Sequence, residues 1–320
     1  MRRKSIFLLA IFTLLFIPFL CYNPSVLLAK EKFEEKFEKT IPLQKAGKII
    51  LKNVSGDIKV TSWDKEEVKI KAVKVSKAFT FSKAKENAKR VKIEINKEDN
   101  TLFIETKYPK TVFRSINVSV NYSLVIPSEA KIKIKSVSGD ILLEKIGGEI
   151  EASAVSGDIT IDEAKKEIFC KTVSGDLNLQ NINGDIDVKT VSGDIDVVNI
   201  KGSIDADSVS GDIEIKGENE VEKLRAKTIS GSIIFEGKIQ PKGEYDLNSH
   251  SGDVYIKIPP DAAFDLEAST FSGKIKSEFE ITVSGEISRR KITGSVNGGG
   301  ADIDLSSFSG NIILKKKKVN

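Results

Sequence analysis

The chain has 320 residues, 40% of them hydrophobic, which is enough for one large or two ordinary domains around a sizeable core. It has only two cysteines, which excludes a scaffold held by several disulfides. The net charge of +4 hides a division: residues 30–136 hold 25 Lys and Arg against 14 Asp and Glu, and residues 137–272 hold 13 against 27. A basic first part followed by an acidic second part can orient a protein at an anionic surface.

The first 29 residues have the features of an export signal. Basic residues at Arg2–Lys4 precede an apolar run from Ile6 to Leu20, and charged residues follow Ala29. This pattern predicts a signal peptide over 1–29, cleaved near Ala29, and hence a periplasmic, cell-surface or secreted protein. An uncleaved membrane anchor is the alternative. Export argues against nucleic acid as a partner.

Residues 30–136 are less regular than the rest. The segment "KIILKNVSGDIKV" from Lys48 to Val60 has the turn and the alternation found later in the chain, whereas residues 82–90 have helical spacing. We predict wider, irregular solenoid coils here, with an insertion near 73–91. Phe79 and Phe81 in this insertion are candidate contacts for a partner.

From residue 137 onward the chain repeats itself. Ser-Gly pairs recur first at a constant spacing and then at a slightly longer one: they begin at Ser138, Ser156, Ser174, Ser192, Ser210, Ser230, Ser251 and Ser272, and Thr293-Gly294 and Ser309-Gly310 follow. Between the pairs, short segments such as 194–197 alternate polar and apolar residues, which predicts strands with one buried face. Two strands and two turns in a tandem unit indicate an all-β fold, a β-solenoid over 137–320 whose coils contain about 18 to about 21 residues each. A sandwich or closed barrel is the rival fold.

Two columns of apolar side chains are predicted to fill the solenoid. Successive coils would lie about 4.8 Å apart, so equivalent residues would stack. The first predicted inward column contains Ile141, Ile159, Leu177, Ile195 and Ile213. The second predicted inward column contains Val137, Val155, Val173, Val191 and Val209. His250 occupies the position of these valines and is predicted to fill the same column.

The repeated Ser-Gly-Asp turns are predicted to be structural. Gly permits a positive φ, and Asp can accept hydrogen bonds from nearby backbone amides. The turns are Ser138-Gly139-Asp140, Ser156-Gly157-Asp158, Ser174-Gly175-Asp176, Ser192-Gly193-Asp194 and Ser210-Gly211-Asp212. A calcium site along the Asp column is the alternative, but one Asp per turn supplies few of the six to eight oxygens that calcium prefers. The column also changes to Ser232, Lys274 and Asn311, so we predict no metal and no cofactor.

Catalysis is not predicted. The acidic residues follow the repeat, whereas a polysaccharide-cleaving solenoid needs a local cluster of carboxylates, Lys or Arg that breaks it. Cys170 lies at an apolar position and is predicted to be a buried, inert thiol. Such an enzyme remains the less favoured alternative.

The tail is predicted to cap the solenoid. Asn297–Gly300, the strand at Ile303–Leu305 and the lysines Lys315–Lys318 would protect the last edge, because charged side chains oppose pairing between molecules. Attachment of these lysines to an anionic lipid or wall polymer is the alternative interpretation.

These motifs together resemble the DUF4097 family, whose members are described as adhesins with β-strand repeats. The resemblance covers about residues 45–315 and rests on Trp63-Asp64, "YSLVIP" at 122–127, the tandem Val-Ser-Gly-Asp-Ile and the closing "GSVNGGGADIDLSSFSGNIIL". It implies an exported β-solenoid at the bacterial envelope, without established catalytic residues.

The function expected from this fold is adhesion or scaffolding at the cell envelope through binding of a protein or a glycan. Envelope-stress sensing with a regulatory partner is the alternative. Breaks in the repeat are the expected places for a ligand: residues 73–91, the longer loops predicted near Gly217–Lys223 and Gln240–Tyr245, and residues 288–300.

Overall fold

The computed structural model describes residues 30–109, 116–284 and 288–317. The predicted signal peptide and Lys318 lie outside these residues. Within them the protein is almost entirely β-structure, with one short helix and a long, largely parallel sheet. No described helix is both long enough and apolar enough to cross a bilayer.

The first part of the chain contains seven strands and the helix. They are β1 (Glu31–Pro42), β2 (Lys48–Lys52), β3 (Ile58–Trp63), β4 (Glu67–Ala78), α1 (Phe81–Arg90), β5 (Lys92–Glu98), β6 (Thr101–Lys107) and β7 (Val118–Pro127). The helix predicted over residues 82–90 is confirmed. The Thr80 hydroxyl caps its N-terminus by accepting a hydrogen bond from the Lys83 amide.

The central part contains nine strands in a strict register. They are β8 (Lys131–Lys135), β9 (Ile141–Ile146), β10 (Ile150–Ser153), β11 (Ile159–Ala164), β12 (Ile168–Ser174), β13 (Leu177–Asn183), β14 (Ile186–Ser192), β15 (Ile195–Lys201) and β16 (Ile204–Ser210). From β8 to β15, each strand pairs in parallel with the strand two places further on, and paired residues are one full repeat apart in the chain, as in Ile159 with Leu177. β16 pairs instead with the second half of the next strand. Odd-numbered strands form one parallel array and even-numbered strands form the other, which is the pairing that a β-solenoid-like repeat requires.

The last part contains nine more strands. They are β17 (Ile213–Ser230), β18 (Ile233–Ser251), β19 (Val254–Ile258), β20 (Phe264–Thr270), β21 (Ile275–Ser277), β22 (Thr282–Val283), β23 (Lys291–Val296), β24 (Ala301–Ser309) and β25 (Ile312–Lys316). The loops predicted near Gly217–Lys223 and Gln240–Tyr245 are wrong. The extra residues lie inside β17 and β18, which pair along most of their length and absorb them as register shifts after Lys216 and Val221.

The first predicted column of core residues is confirmed. Ile141, Ile159, Leu177, Ile195 and Ile213 pair in successive strands and are at most 1% exposed. They belong to one continuous hydrophobic cluster with the inward residues of the even-numbered array. Burying each such side chain is worth about 1.5–3 kcal/mol, so the column stabilises the stack without disulfides.

The N-terminal end departs from sequence order. β2 lies between β6 and β8, and β3 lies between β7 and β9, so β6 and β7 form a layer outside β2 and β3. Antiparallel strands then cover this outer layer, with β4 on β7, β1 on β4 and β5 on β6.

The C-terminal end departs from sequence order in the same way. β24 lies between β18 and β20, and β25 lies between β19 and β21, so the turn at Ser309 stacks between those at Ser251 and Ser272. The prediction that Thr293-Gly294 continues the repeat is wrong, because both residues lie in β23, which covers β20 antiparallel.

The predicted C-terminal cap is also wrong in its members. Ile303–Leu305 lies in β24, which has partner strands on both sides. Lys315 and Lys316 pair with β19, and the pairing of β25 with β21 stops at Leu314, so the last edge of the stack lies at β20 and β21. β23 pairs antiparallel with β20 and so covers the β20 part of this edge.

Candidate functional site

The glycine of each turn is required by the stacking. Gly193 has a φ of +151°, and a Cβ on it would lie 2.1 Å from the carbonyl oxygen of Gly175. The same approach recurs at Gly157, Gly175 and Gly211, where the distances would be 2.4, 2.2 and 1.9 Å. Real Cβ atoms do not come so close to backbone, so a side chain at these turns would push the layers apart.

The aspartates of the turns form a column of hydrogen bonds between layers. The Asp158 amide donates to a carboxylate oxygen of Asp140 at 3.0 Å, and the Asp176, Asp194 and Asp212 amides repeat this bond at 2.8–2.9 Å. Each carboxylate therefore accepts a charge-assisted hydrogen bond from the next turn.

The changes in the Asp column have a structural explanation. The Asp212 carboxylate accepts from the Ser232 amide, the Ser232 hydroxyl accepts from the Asp253 amide, and the Asn311 amide donates to Asp253. Lys274 ends the column and needs only to donate its amide, which it does to Asn311. Serine and asparagine keep an acceptor oxygen for the amide of the next turn, so one structural role accounts for each change in the column. Within the described ranges, no three His, Cys, Asp or Glu residues are grouped as a metal site would need.

A second set of polar residues supports the turns and was missed from the sequence. Thr172 and Thr190 are buried, and their hydroxyls donate to the carbonyl oxygens of Gly157 and Gly175 at 3.3 Å. Further hydroxyls take this role at Ser208, Thr228, Ser249, Thr270 and Ser307. The signal was available, because a Thr or Ser recurs two residues before each turn serine of this set.

The second predicted core column is wrong. Val137, Val155, Val173, Val191 and Val209 are 44–49% exposed rather than buried. The physical reason is the strand alternation: Thr172 points inward to reach the Gly157 carbonyl, so Val173 must point outward. These valines form an exposed apolar ridge beside the turns, and Ile229, Phe308 and Phe271 continue it.

The ridge becomes aromatic at its C-terminal end. His250, predicted to fill the inward column, lies on this ridge, and its ring stacks on Phe308 with centroids 4.9 Å apart. Phe308 in turn stacks on Phe271 at 4.7 Å. Cys170, in contrast, is fully buried as predicted, and burial raises the pKa of its thiol to about 12.

A long groove crosses the outer face of the even-numbered array. It has a volume of about 840 Å³. It runs from β2 across β8, β10, β12, β14 and β16 to the second half of β17, which continues this array. We call it the sheet groove. Phe169 lies in it, and the parallel register places Glu151 and Asp187 beside Phe169 on the two neighbouring strands. Those neighbours are about 4.8 Å away, so one small ring-shaped ligand could touch all three side chains.

The charges of the sheet groove are arranged by position. Lys131 and Lys133 lie at its N-terminal end, where they form ion pairs with Glu149 and Glu151. Arg225 lies at the other end and pairs with Asp205. The middle is acidic, with Glu167, Asp185 and Asp187.

Phe169 is the break in the repeat that sequence reasoning missed. The column of outward residues reads Lys133, Glu151, Phe169, Asp187 and Asp205, so an aromatic side chain replaces a charged one. The Lys171 ammonium lies 5.8 Å from the centroid of the Phe169 ring. The predicted breaks were sought in longer segments, whereas this one is a single substitution within a perfect register.

The candidate contacts Phe79 and Phe81 lie far from the sheet groove in chain and strand order, beside β1 and β4 at the N-terminal end. Phe79 is 70% exposed and Phe81 is 54% exposed. The Phe81 ring packs edge-on against Phe33, with centroids 5.6 Å apart. Both rings therefore lie at the surface and not in the core, and Phe81 contacts Phe33 there.

Comparison with solved structures finds chains of similar extent but low identity. A putative adhesin from Bacteroides fragilis is 15% identical, with 88% of this chain and 97% of that chain covered and a TM-score of 0.48. A putative cell adhesion protein from Clostridium sporogenes is 14% identical, with 88% and 100% covered and a TM-score of 0.24. A putative lipid binding protein from Parabacteroides distasonis is 13% identical, with 89% and 97% covered and a TM-score of 0.42.

No curated protein matches the chain. One protein-family model, described as "Toastrack DUF4097", matches the chain over residues 46–244 and 237–315. These ranges contain all the turns of the Asp column and the whole sheet groove, so the chain belongs to the Toastrack DUF4097 family.

Proposed function

We propose that the protein is an exported, non-catalytic β-solenoid that serves adhesion or scaffolding at the cell envelope by holding a glycan in the sheet groove. The proposal depends on one observation above the others: Phe169 lies between Glu151 and Asp187 in a groove that crosses successive parallel strands. A sugar ring stacks on an aromatic face, and carboxylates accept hydrogen bonds from its hydroxyls.

The solenoid supports this role through its rigidity. Gly turns, Asp columns and buried hydroxyls fix each layer on the next, so the groove does not have to be ordered when a ligand binds. A preorganised groove lowers the entropic cost of binding an extended polymer.

The acidic residues of the groove support binding rather than hydrolysis. Glu149, Glu151 and Asp205 are each paired with a basic side chain, and all of them follow the repeat. A glycosidase needs one carboxylic acid held protonated beside a second carboxylate. In the sheet groove the partner of each of these three carboxylates is a lysine or arginine and not a second carboxylate.

The test is binding of residues 30–320 to an array of polysaccharides. We expect retention on at least one polymer, loss of most of the binding in Phe169→Ala, and unchanged binding in the control Phe308→Ala on the ridge. Chelation should leave binding intact. Capture of envelope protein but no glycan, with the same dependence on Phe169, would replace the glycan by a protein partner. Release of sugar from the polymer would contradict the non-catalytic assignment.

A further inference from the structure

We infer that the N-terminal end carries a second binding surface, distinct from the sheet groove, that rests on an anionic lipid bilayer. The surface consists of Phe33, Phe79 and Phe81 with Lys85, and we call it the aromatic–lysine patch. It does not depend on the proposed glycan binding.

Two aromatic side chains of the patch are largely exposed and add little to the buried core. Phe79 is 70% exposed and Phe81 is 54% exposed, although buried core residues lie only a few positions away at Ala84 and Ala88. Phe81 packs on Phe33 at 5.6 Å, so the rings hold one another in place at the surface. Large exposed apolar groups that form a contiguous patch mark an interaction site.

The rim of the patch is basic. Residues 74–90 contain six Lys and Arg against one Glu, whereas residues 30–36 of β1 and its start hold three Lys and three Glu. Lys74 and Lys83 form ion pairs with Glu35 and Glu86. Lys85 is exposed, and its ammonium lies 6.0 Å from the centroid of the Phe33 ring. Lys and Arg side chains near an anionic membrane surface are attracted to it, and exposed Phe side chains are buried at the boundary between headgroups and acyl chains.

The position of the patch in the chain selects a bilayer as the occupant. The antiparallel register pairs Glu31 with Ala78, so exposed Phe79 follows directly beside the point where β1 begins. The residues before β1 include the apolar run Ile6–Leu20. The patch therefore adjoins the segment predicted to enter the membrane during export, and its exposed lysine complements anionic headgroups.

The test uses residues 30–320, which retain every described core residue, since those lie between Ile41 and Leu314. Sedimentation with vesicles of phosphatidylcholine and phosphatidylglycerol in equal amounts should carry the protein down, and vesicles of phosphatidylcholine alone should not. The double variant Phe79→Ala/Phe81→Ala should bind about tenfold or more weakly, because it buries two fewer Phe side chains in the bilayer. The matched control Phe271→Ala, which removes an exposed ring at the opposite end, should bind as the unchanged protein does.

A positional measurement covers the case in which the double variant does not fold. Phe79→Trp should show quenching of its new fluorescence by brominated lipid in the anionic vesicles, and Phe271→Trp should not. Binding that persists in the double variant, no sedimentation with anionic vesicles, or equal quenching of both tryptophans would each overturn the inference. Phe169→Ala should sediment normally, so failure of the glycan proposal leaves this one standing.

Discussion

The central layers and the two ends of this protein follow different rules. Between β8 and β16 every layer repeats the one before it in a constant register, and the same Gly, Asp and Thr contacts recur. At both ends the strand order no longer follows the sequence, and antiparallel strands cover the last layer. A repeat can extend a stack but cannot end it, because each added layer presents the same open edge.

The largest loss of stability is expected from a substitution that disrupts the stacking of the central layers. Gly193→Val would place a side chain against the Gly175 carbonyl and force it into a φ of +151°. We expect a loss of about 4 kcal/mol or more in the free energy of unfolding, measured by urea denaturation. The control is Gly298→Ala at the C-terminal end, where φ is +90° but nothing lies within 4 Å, so about 1 kcal/mol is expected. Equal losses at the two sites would show that strain alone, not layer contact, requires glycine.

The next effect tests which apolar column is the core. Ile195→Ala removes a fully buried side chain and should cost about 2–5 kcal/mol. Val191→Ala removes a side chain that is 47% exposed on the ridge and should cost less than about 1 kcal/mol. Urea midpoints of the two variants give the comparison directly. A larger loss from Val191→Ala would restore the original prediction of an inward valine column.

A smaller effect separates local from global stability. Thr80→Ala removes the hydroxyl that caps α1 and should weaken the helix by about 1 kcal/mol. Because α1 lies at the end and contacts mainly β1 and β4, we expect faster amide exchange in residues 81–90 with little change in the central strands. Ser82→Ala, inside the first turn of the helix, is the control. Uniformly faster exchange along the chain would contradict the view that α1 opens independently of the central strands.

The smallest effect is electrostatic. Burial, and then the charges of Glu214 and Asp194, raise the pKa of Asp196 above its ordinary 3.8. The folded state therefore holds this proton more tightly than the unfolded state, and stability falls as pH rises through the titration of Asp196. Asp196→Asn should gain a few tenths of a kcal/mol at neutral pH, and the gain should vanish well below pH 3.8. Asp162→Asn, at a carboxylate that accepts a hydrogen bond from Asn181, should show no such gain.

The sequence alone determined the structure of a single layer of the repeat. The constant period, the polar–apolar alternation, the Gly that permits close approach and the buried Ile column are all local patterns, so they could be predicted without knowing which layer meets which. The short helix before residue 90 and the buried position of Cys170 were predictable for the same reason.

Tertiary structure decided what period alone leaves open. Val173 faces solvent because Thr172 turns inward to a carbonyl of the layer below, and that contact exists only once two layers meet. Phe169 became a candidate site because Glu151 and Asp187, its neighbours in space, are each a full repeat away in the chain. The order of layers at each end follows from the need to cover open edges, which is a property of the finished stack and not of any one repeat.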